Sequence, residues 1–244
     1  MWTLFRKEIK EFFSSITGYL VVVVYLVINS LIMWVFHGPS NILDAGQANL
    51  DPLFIISPWV FLFLVPAVTM RLISEEKRLQ TMELLLVRPI SEFKITMAKY
   101  LSGLSLVLVA LLPTLVYTIS INQLGRTEGI ADMGAIAGSY IGLFFLAAIY
   151  TAIGLFASSL SNNQIISFII AVLLSFAFYI GFDQVAGLRL SGAIEDFIMS
   201  LGINYHYKAI SKGVIDSRDI IYFLSVIAIF ILLTKLRLER RKWK

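Results

Sequence analysis

The sequence predicts an all-α membrane protein with six transmembrane helices, an N-terminal amphipathic helix at the membrane interface and one short cytoplasmic helix. Composition is the first reason: of 244 residues, 58% are hydrophobic and 15% charged, whereas soluble domains carry roughly 25% charged residues. Charge-free stretches are the second reason. The longest, Met133–Phe182, runs for 50 residues, and about 20 apolar residues suffice to cross the hydrocarbon core.

The charge-free stretches divide into six predicted spans. A polar cluster at Ser158–Gln164 separates two spans within the longest stretch, as turn residues do between apolar runs. The last stretch, Ile220–Thr234, has only 15 residues, so we expect Tyr222 and Lys235 to anchor it at the two interfaces. The predicted spans cover residues 16–36, 55–73, 98–121, 135–157, 165–182 and 219–236.

Lysine and arginine are distributed unequally between the two sides of these spans. The side that holds both termini collects fifteen of them, and the other side has five. Cytoplasmic loops carry the excess of positive charge. The sequence therefore predicts that both termini are cytoplasmic, and the net charge of +4 needs no nucleic-acid partner to explain it.

Residues 2–13 have the pattern of an amphipathic helix. Apolar side chains recur at helical spacing and charged ones occupy the opposite face. Such a helix lies in the headgroup plane. It could be a membrane anchor, or a lever between the first span and a cytoplasmic partner. The apolar residues are Trp2, Phe5, Ile9, Phe12 and Phe13, and the charged ones are Arg6, Lys7, Lys10 and Glu11.

Residues 74–97 form the only sizeable predicted cytoplasmic loop. Thr81 is a suitable cap for a short helix with Glu83 in its first turn, and Pro89 ends that helix at Arg88. Its Leu-Leu-Leu-Val run at 84–87 is more apolar than a solvated loop requires. These side chains either dip into the interface and pack under the bundle, or form a docking surface for a cytoplasmic protein.

On the other side, residues 183–217 form the longest external segment, in which Ala193–Leu201 could be a short amphipathic helix. Gly134, Gly138 and Gly142 form a stripe of small residues at the outer start of the fourth span. Such stripes allow a second helix to approach closely. We expect that helix to belong to the same bundle rather than to a dimer partner.

The motifs of catalysis and cofactor binding are missing from the sequence. It has no cysteine, only two histidines and no phosphate-binding loop. We therefore expect no catalytic, cofactor-binding or metal-binding residues and no enzymatic activity on this chain. No span carries a central ionisable residue, which many ion-coupled carriers require, so any energy for transport would come from a partner.

The spans do contain neutral polar side chains, which either form interhelical hydrogen bonds or line a translocation path. The candidates for lining a path are Thr114, Tyr117, Thr118 and Tyr150.

Taken in order, these features resemble the permeases of ABC-2-type transporters. Three regions carry the resemblance. One is the polar turn Ser158–Gln164, which looks like the family's short turn between spans four and five. Of the other two, the first is similar to the family pattern E-x-R…G-T-x-E-x-L…P-x-S…K, with Gln80 where the family often has glycine; the second is similar to the stretch before the family's last span. The residues are Glu75–Arg78, Thr81, Glu83, Leu84, Leu85, Pro89–Ser91 and Lys99 in the first region, and Tyr205–Tyr207, Lys212–Asp216, Asp219 and Tyr222 in the second.

The resemblance implies a mechanism and a location. Two six-span subunits, either two copies or this chain with a related membrane subunit, associate in the bacterial inner membrane, and a separate ATPase binds the ATP. Each ATPase receives a coupling helix, here about Thr81–Arg88, and export is the usual direction. The implied docking residues are Glu75, Glu76, Thr81, Glu83, Leu84, Leu85 and Arg88.

Within the family, the chain is most similar to permeases associated with gliding motility in Bacteroidetes. Two other functions stay open at this point. The chain could be a non-transporting scaffold that passes ATP-driven motion to an external partner, or a passive channel that works without any ATPase.

Overall fold

A computed structural model describes residues 1–46, 49–86, 90–124, 132–188, 192–213 and 216–240. This part of the chain is helical and contains no strand. We number the helices in chain order. They are α1 (Trp2–Ser14), α2 (Ile16–Val35), α3 (Ile42–Ala45), α4 (Asp51–Arg78), α5 (Thr81–Leu86), α6 (Glu92–Gln123), α7 (Met133–Leu160), α8 (Gln164–Ala186), α9 (Gly192–Met199), α10 (Ile203–Ser211) and α11 (Ser217–Glu239).

Six of these helices, α2, α4, α6, α7, α8 and α11, are long and apolar enough to cross a membrane. The prediction of an all-α protein with six spans is therefore confirmed. The core forms around α7, the most buried span, which packs against α4, α6, α8 and α11. The two least buried spans, α2 and α8, leave most of their apolar side chains at the surface.

Several helices extend beyond the predicted spans. The last span is a helix of 23 residues, Ser217–Glu239, which is long enough to cross the bilayer because its charged ends remain helical. The predicted polar turn lies between α7 and α8, where Asn163 Oδ1 accepts the Ile165 N–H at 2.8 Å and caps α8. Charge-free length alone underestimates a span, since helices continue through their polar ends.

Two spans that contain prolines are interrupted. At Pro113 the α6 helix tightens into a 3₁₀ turn, Leu112–Thr114. In α4, which contains Pro66, the regular helix ends at Thr69 and resumes at Arg71. Proline lacks a backbone N–H and clashes with the preceding turn, which accounts for the tightened turn at Pro113. The break in α4 lies after Pro66, whose carbonyl still accepts the Met70 N–H at 2.8 Å.

Glycines bring α7 very close to its neighbours. A β-carbon built on Gly154 would lie 2.0 Å from Thr69 Oγ1 of α4, and one on Gly138 would lie 2.9 Å from the Gly213 Cα. Gly142 packs against Tyr207 of α10. Gly138 and Gly142 of the glycine stripe thus serve contacts within the chain, as expected, rather than a dimer seam.

The described residues between α8 and α11, 192–213 with the end of the preceding turn, contain two helices rather than the one predicted. The expected helix is α9, and α10 was missed because its Asn-Tyr-His-Tyr-Lys sequence lacks a long apolar run. α10 packs on the first half of α7. In addition, the Tyr207 hydroxyl donates to the Phe54 carbonyl of α4 at 2.7 Å, so α10 ties several spans together at this end.

The contact between Gly154 and Thr69 gives a direct test of the packing. Substitution Gly154→Ala forces α4 and α7 apart, and we expect it to lower the free energy of unfolding by about 1–3 kcal/mol, as overpacked cores do. Unfolding in denaturant, measured on the purified chain in detergent, checks this. Gly181→Ala is the matched control because its β-carbon would meet its nearest neighbour at 3.9 Å. Equal stability of the two variants would contradict the packing described here.

Candidate functional site

The candidate site is a groove between α1 and the end of α4, which we call the α1–α4 groove. It encloses about 580 Å³ and is bordered by α5 and Ile90. Its walls combine apolar side chains with a cluster of charges. The charged lining residues are Lys7, Glu8, Glu11, Arg71, Glu75 and Glu76. Four of these six side chains are acidic, so the groove suits a partner that presents basic groups.

Lys99 closes the base of the groove from α6. Its side chain is fully buried, and its ammonium lies 2.9 Å from Glu8 Oε1 and 2.9 Å from Glu76 Oε2. It also donates to the Leu72 carbonyl at 2.6 Å. A buried ammonium is stable only if paired and hydrogen-bonded. These contacts therefore fix α1, α4 and α6 relative to one another.

Lys7 adds a second cation at the rim of the groove. It lies 3.5 Å from Glu76, 3.6 Å from Glu11 and 3.8 Å from Glu8. Burial by itself lowers the pKa of Lys7, but the three carboxylates together outweigh it and raise that pKa above its ordinary value. Lys7 therefore keeps its charge at neutral pH and partly neutralises the acidic cluster.

The face of α1 that packs on the protein differs from the expected apolar stripe. Leu4, Glu8 and Phe12 are its buried residues, whereas Trp2 is exposed. The Arg71 guanidinium stacks over the Phe12 ring at 3.8 Å, a favourable cation–π contact. Glu8 was missed because a carboxylate interrupts a hydrophobic pattern, and only its partner Lys99 explains why it faces inward.

The far wall of the groove is fixed where α4 is broken. Ser158 of α7 supplies the missing partners: its Oγ accepts the backbone N–H groups of Ile73 and Ser74 at 3.0 Å each and donates to the Met70 carbonyl at 2.7 Å. Lys77 donates to the Ser159 carbonyl at the end of α7. Buried backbone groups need such partners, so the break is held in one geometry.

The short helix α5 follows a tight turn at Gln80. This residue has a φ of +58°, in the left-handed region that favours glycine. Glutamine therefore occupies a turn position whose backbone conformation glycine would adopt without strain. Thr81 is the first residue of α5 rather than its cap, and its hydroxyl donates to the Glu76 carbonyl at 3.3 Å.

The predicted docking residues occupy different positions. Glu83 and Thr81 are exposed, and Glu75 is partly exposed beside Arg78. Glu76, by contrast, points inward to Lys99 and Lys7, and Leu85 packs on a small cluster of Leu4, Ile95 and Ala98. The geometry thus assigns Glu75 and Glu83 to the surface and Glu76 and Leu85 to its support. Arg88 and the side chain of Leu84 lie outside the described residues.

The residues predicted to line a path form two separate groups. Thr114 is buried and bonds Tyr140 of α7, and the Tyr117 hydroxyl lies 2.6 Å from Ser30 Oγ of α2. Half-buried Thr118 is one helical turn beyond Thr114. Tyr150 is fully buried, edge-on to Tyr179 of α8 with ring centroids 6.2 Å apart. The bonded members of this set hold neighbouring spans together.

The described residues include no group of three His, Cys, Asp or Glu side chains placed to hold a metal ion. The fold and the groove define the class of protein as a multi-pass membrane protein with a structured charged groove beside a short exposed helix. A family model described as ABC-2 family transporter protein matches residues 2–243, and the chain belongs to this family. No curated protein matches the chain. Members of this family are membrane subunits of transporters whose ATPase is a separate component.

The buried ammonium gives the first prediction for the site. Substitution Lys99→Met leaves Glu8 and Glu76 facing each other without the cation between them. Breaking a buried pair typically costs about 3–5 kcal/mol, and we expect a loss of that size in the free energy of unfolding. Lys94→Met, at an exposed position of the same helix, is the control and should change stability by less than about 0.5 kcal/mol. Equal losses would mean that the ammonium does not hold the groove together.

The left-handed turn gives the second prediction. Gln80→Gly removes the steric penalty of a β-carbon at positive φ, partly offset by glycine's greater freedom in the unfolded chain, and should stabilise the protein by about 0.5–1 kcal/mol. Gln80→Ala keeps the β-carbon and should give no such gain. Denaturant unfolding of the three proteins side by side measures the difference, and a gain with alanine as large as with glycine would rule out backbone strain as its source.

Proposed function

We propose that the chain is the permease subunit of an ATP-binding cassette exporter, driven by a separate ATPase that docks on α5 and the α1–α4 groove. The observation that carries the proposal is the way in which α5 is attached to the rest of the bundle. Its exposed Glu83 stands on a helix that is connected on one side to α4 and packs through Leu85 on α1 and α6. A protein that binds α5 therefore acts on all three helices.

The groove supports transmission of force rather than simple attachment. Lys99 links α6 to α1 and α4, and Ser158 links the break in α4 to α7. Buried charges and backbone bonds tolerate little displacement, since an unpaired partner would be costly. Movement of α5 by the ATPase would thus reach the membrane spans through α1, α4, α6 and α7 as a connected unit.

The distribution of positive charge supports an orientation of the chain across the membrane. The end of the bundle that carries the groove also carries Arg71, Lys77, Arg78, Lys94 and Lys99, and positive residues accumulate on the cytoplasmic side. In the proposed orientation both termini and the groove are cytoplasmic and α10 is external, and the membrane is a bacterial inner membrane. α1 would lie along the cytoplasmic interface with its exposed Trp2 towards the lipid headgroups.

Family membership supports a proposal for the partners. We infer a second permease, either a second copy or a related membrane subunit, and the bilayer itself covers the remaining apolar surface. The spans with the most exposed surface are α2 and α8, which are the least buried of the six. ATP would be bound by the ATPase and no cofactor by this chain. The resemblance to gliding-motility permeases supports the finer proposal that the exporter serves that process.

A second candidate function has one observation in its favour. Thr114 and Tyr117, proposed to line a path, already bond side chains of neighbouring spans. A scaffold that passes motion to an external partner would have the same ATPase and no polar path between subunits. A passive channel would leave the ordered groove without a role.

The docking surface is tested by charge reversal. Capture of the tagged chain from its native membrane in mild detergent, followed by mass spectrometry, should recover an ATPase with a phosphate-binding loop. Glu83→Lys should reduce that recovery at least about tenfold, since reversing one interfacial charge costs more than about 1.4 kcal/mol.

Asp196→Lys is the matched control because Asp196 is an exposed acid on α9, at the other end of the bundle. It should capture the ATPase as the wild type does. If Glu83→Lys also captures it at the wild-type level, the docking site is not on α5. If the wild type captures no ATPase, the exporter proposal itself fails.

A further inference from the structure

A buried histidine lies at the outer end of the bundle, about 30 Å along α7 from the groove. His206 is on α10 and is only 8% exposed. Its Nδ1 lies 2.6 Å from Asp219 Oδ1 at the start of α11, and its Nε2 lies 2.8 Å from the Ser200 carbonyl oxygen. Both ring nitrogens therefore face hydrogen-bond acceptors that belong to other segments of the chain.

Two acceptors require two donors. A neutral imidazole has one N–H, so one of its nitrogens would point a lone pair at an oxygen lone pair. The protonated ring has two N–H groups and satisfies both Asp219 and Ser200. The environment also suits a positive charge, because the ring stacks on Tyr222 with centroids 3.9 Å apart and cations over aromatic faces are stabilised.

The same contacts join three segments. Tyr222 of α11 donates its hydroxyl to the Leu201 carbonyl at 2.6 Å, next to the Ser200 carbonyl that faces His206. The turn before α10, α10 itself and the start of α11 thus meet at one imidazole. α10 in turn packs against Gly138 and Gly142 of α7, so the position of α10 affects the outer ends of several spans.

The groups that could titrate beside the ring come from two helices. In the described residues, α11 contributes Asp219 and Tyr222, and α10 contributes Tyr205, edge-on at 5.2 Å. From α8, Asp183 accepts a bond from the Asn204 side chain instead. α7 contributes the neutral Ser139, which bonds the Ser211 carbonyl. The one negative charge bonded to the imidazole is therefore that of Asp219.

We propose that His206 is a positioning residue whose protonated ring clamps α10 to α11, and that the clamp weakens when the pH at this end of the bundle rises. A rise in pH weakens the clamp because the protonated ring makes both hydrogen bonds, whereas the neutral ring makes one. Histidine changes its charge between about pH 5 and pH 8. The identification of this pH as the external pH rests on the orientation in the proposed function. The clamp itself does not depend on that orientation.

The protonation state can be measured without altering the clamp. The chain has two histidines, so His37→Gln leaves His206 as the single imidazole. The full chain, labelled with ¹⁵N in its histidine rings and placed in lipid nanodiscs, is studied by NMR from pH 5 to pH 9. We expect both ring nitrogens to be protonated at pH 6. The added variant Asp219→Asn removes the negative charge bonded to Nδ1 and should reduce the population of the doubly protonated ring at that pH. A neutral, single-tautomer ring at pH 6 would overturn the proposal.

The mechanical consequence is measured by distance. The chain contains no cysteine, so Lys208→Cys on α10 and Ile221→Cys on α11, both exposed positions, place two spin labels cleanly. We expect a narrow distance distribution at pH 6 that broadens at pH 8.5, and a distribution independent of pH once His206→Gln is added. The control His37→Gln should keep the pH dependence. A distribution unchanged by pH in the otherwise native chain would overturn the clamp and leave the ATPase-docking proposal untouched.

Discussion

The buried ammonium of Lys99 is the constraint on which the groove depends. A charge with no exposure to water must be matched by acceptors, and these come from Glu8 of α1 and from Glu76 and Leu72 of α4. The three helices cannot separate without leaving a charge unpaired. Apolar packing alone would hold α1 to the bundle less specifically, because a hydrophobic face tolerates sliding more readily than a fixed set of ion pairs. The ion pairs thus give the amphipathic α1 a defined position.

A second constraint acts on the backbone. A helix broken inside an apolar environment exposes N–H and carbonyl groups that no water can satisfy. In α4 the break after Thr69 is accepted because Ser158 Oγ bonds two N–H groups and one carbonyl across it. The close approach that this needs depends on Gly154, one turn earlier on α7. One small residue and one hydroxyl, a helical turn apart, therefore fix the wall of the groove.

The sequence predicts the six spans well because each span has a local signal, namely a long apolar stretch without charged residues. The turn before α8 and the glycine stripe are also local signals. The groove is different, since Glu8 and Lys99 are 91 residues apart and only the fold brings them together. The same reason explains why the sequence predicts an exposed position for Glu76. Its neighbours in sequence are charged, whereas the lysines that pair with it, Lys7 and Lys99, are far from it in sequence. The sequence does not predict α10, because this helix is held by hydrogen bonds to Phe54, Asp183 and Asp219 rather than by an apolar stripe.

The two ends of α7 place the two sites in one mechanical frame. Ser158 contacts the groove wall and Gly138 contacts α10, and their separation of 20 residues along the helix spans about 30 Å, which is the thickness of the hydrocarbon core. Close contacts of glycines at both ends leave α7 little freedom to slide past α4 or α10. A displacement that begins at the groove would therefore be passed along α7 to α10 almost undiminished. Its effect there depends on whether α10 can move relative to α11. Whether it yields depends on the bonds that His206 makes to Asp219 and Ser200, because these hold α10 to α11 when α7 moves.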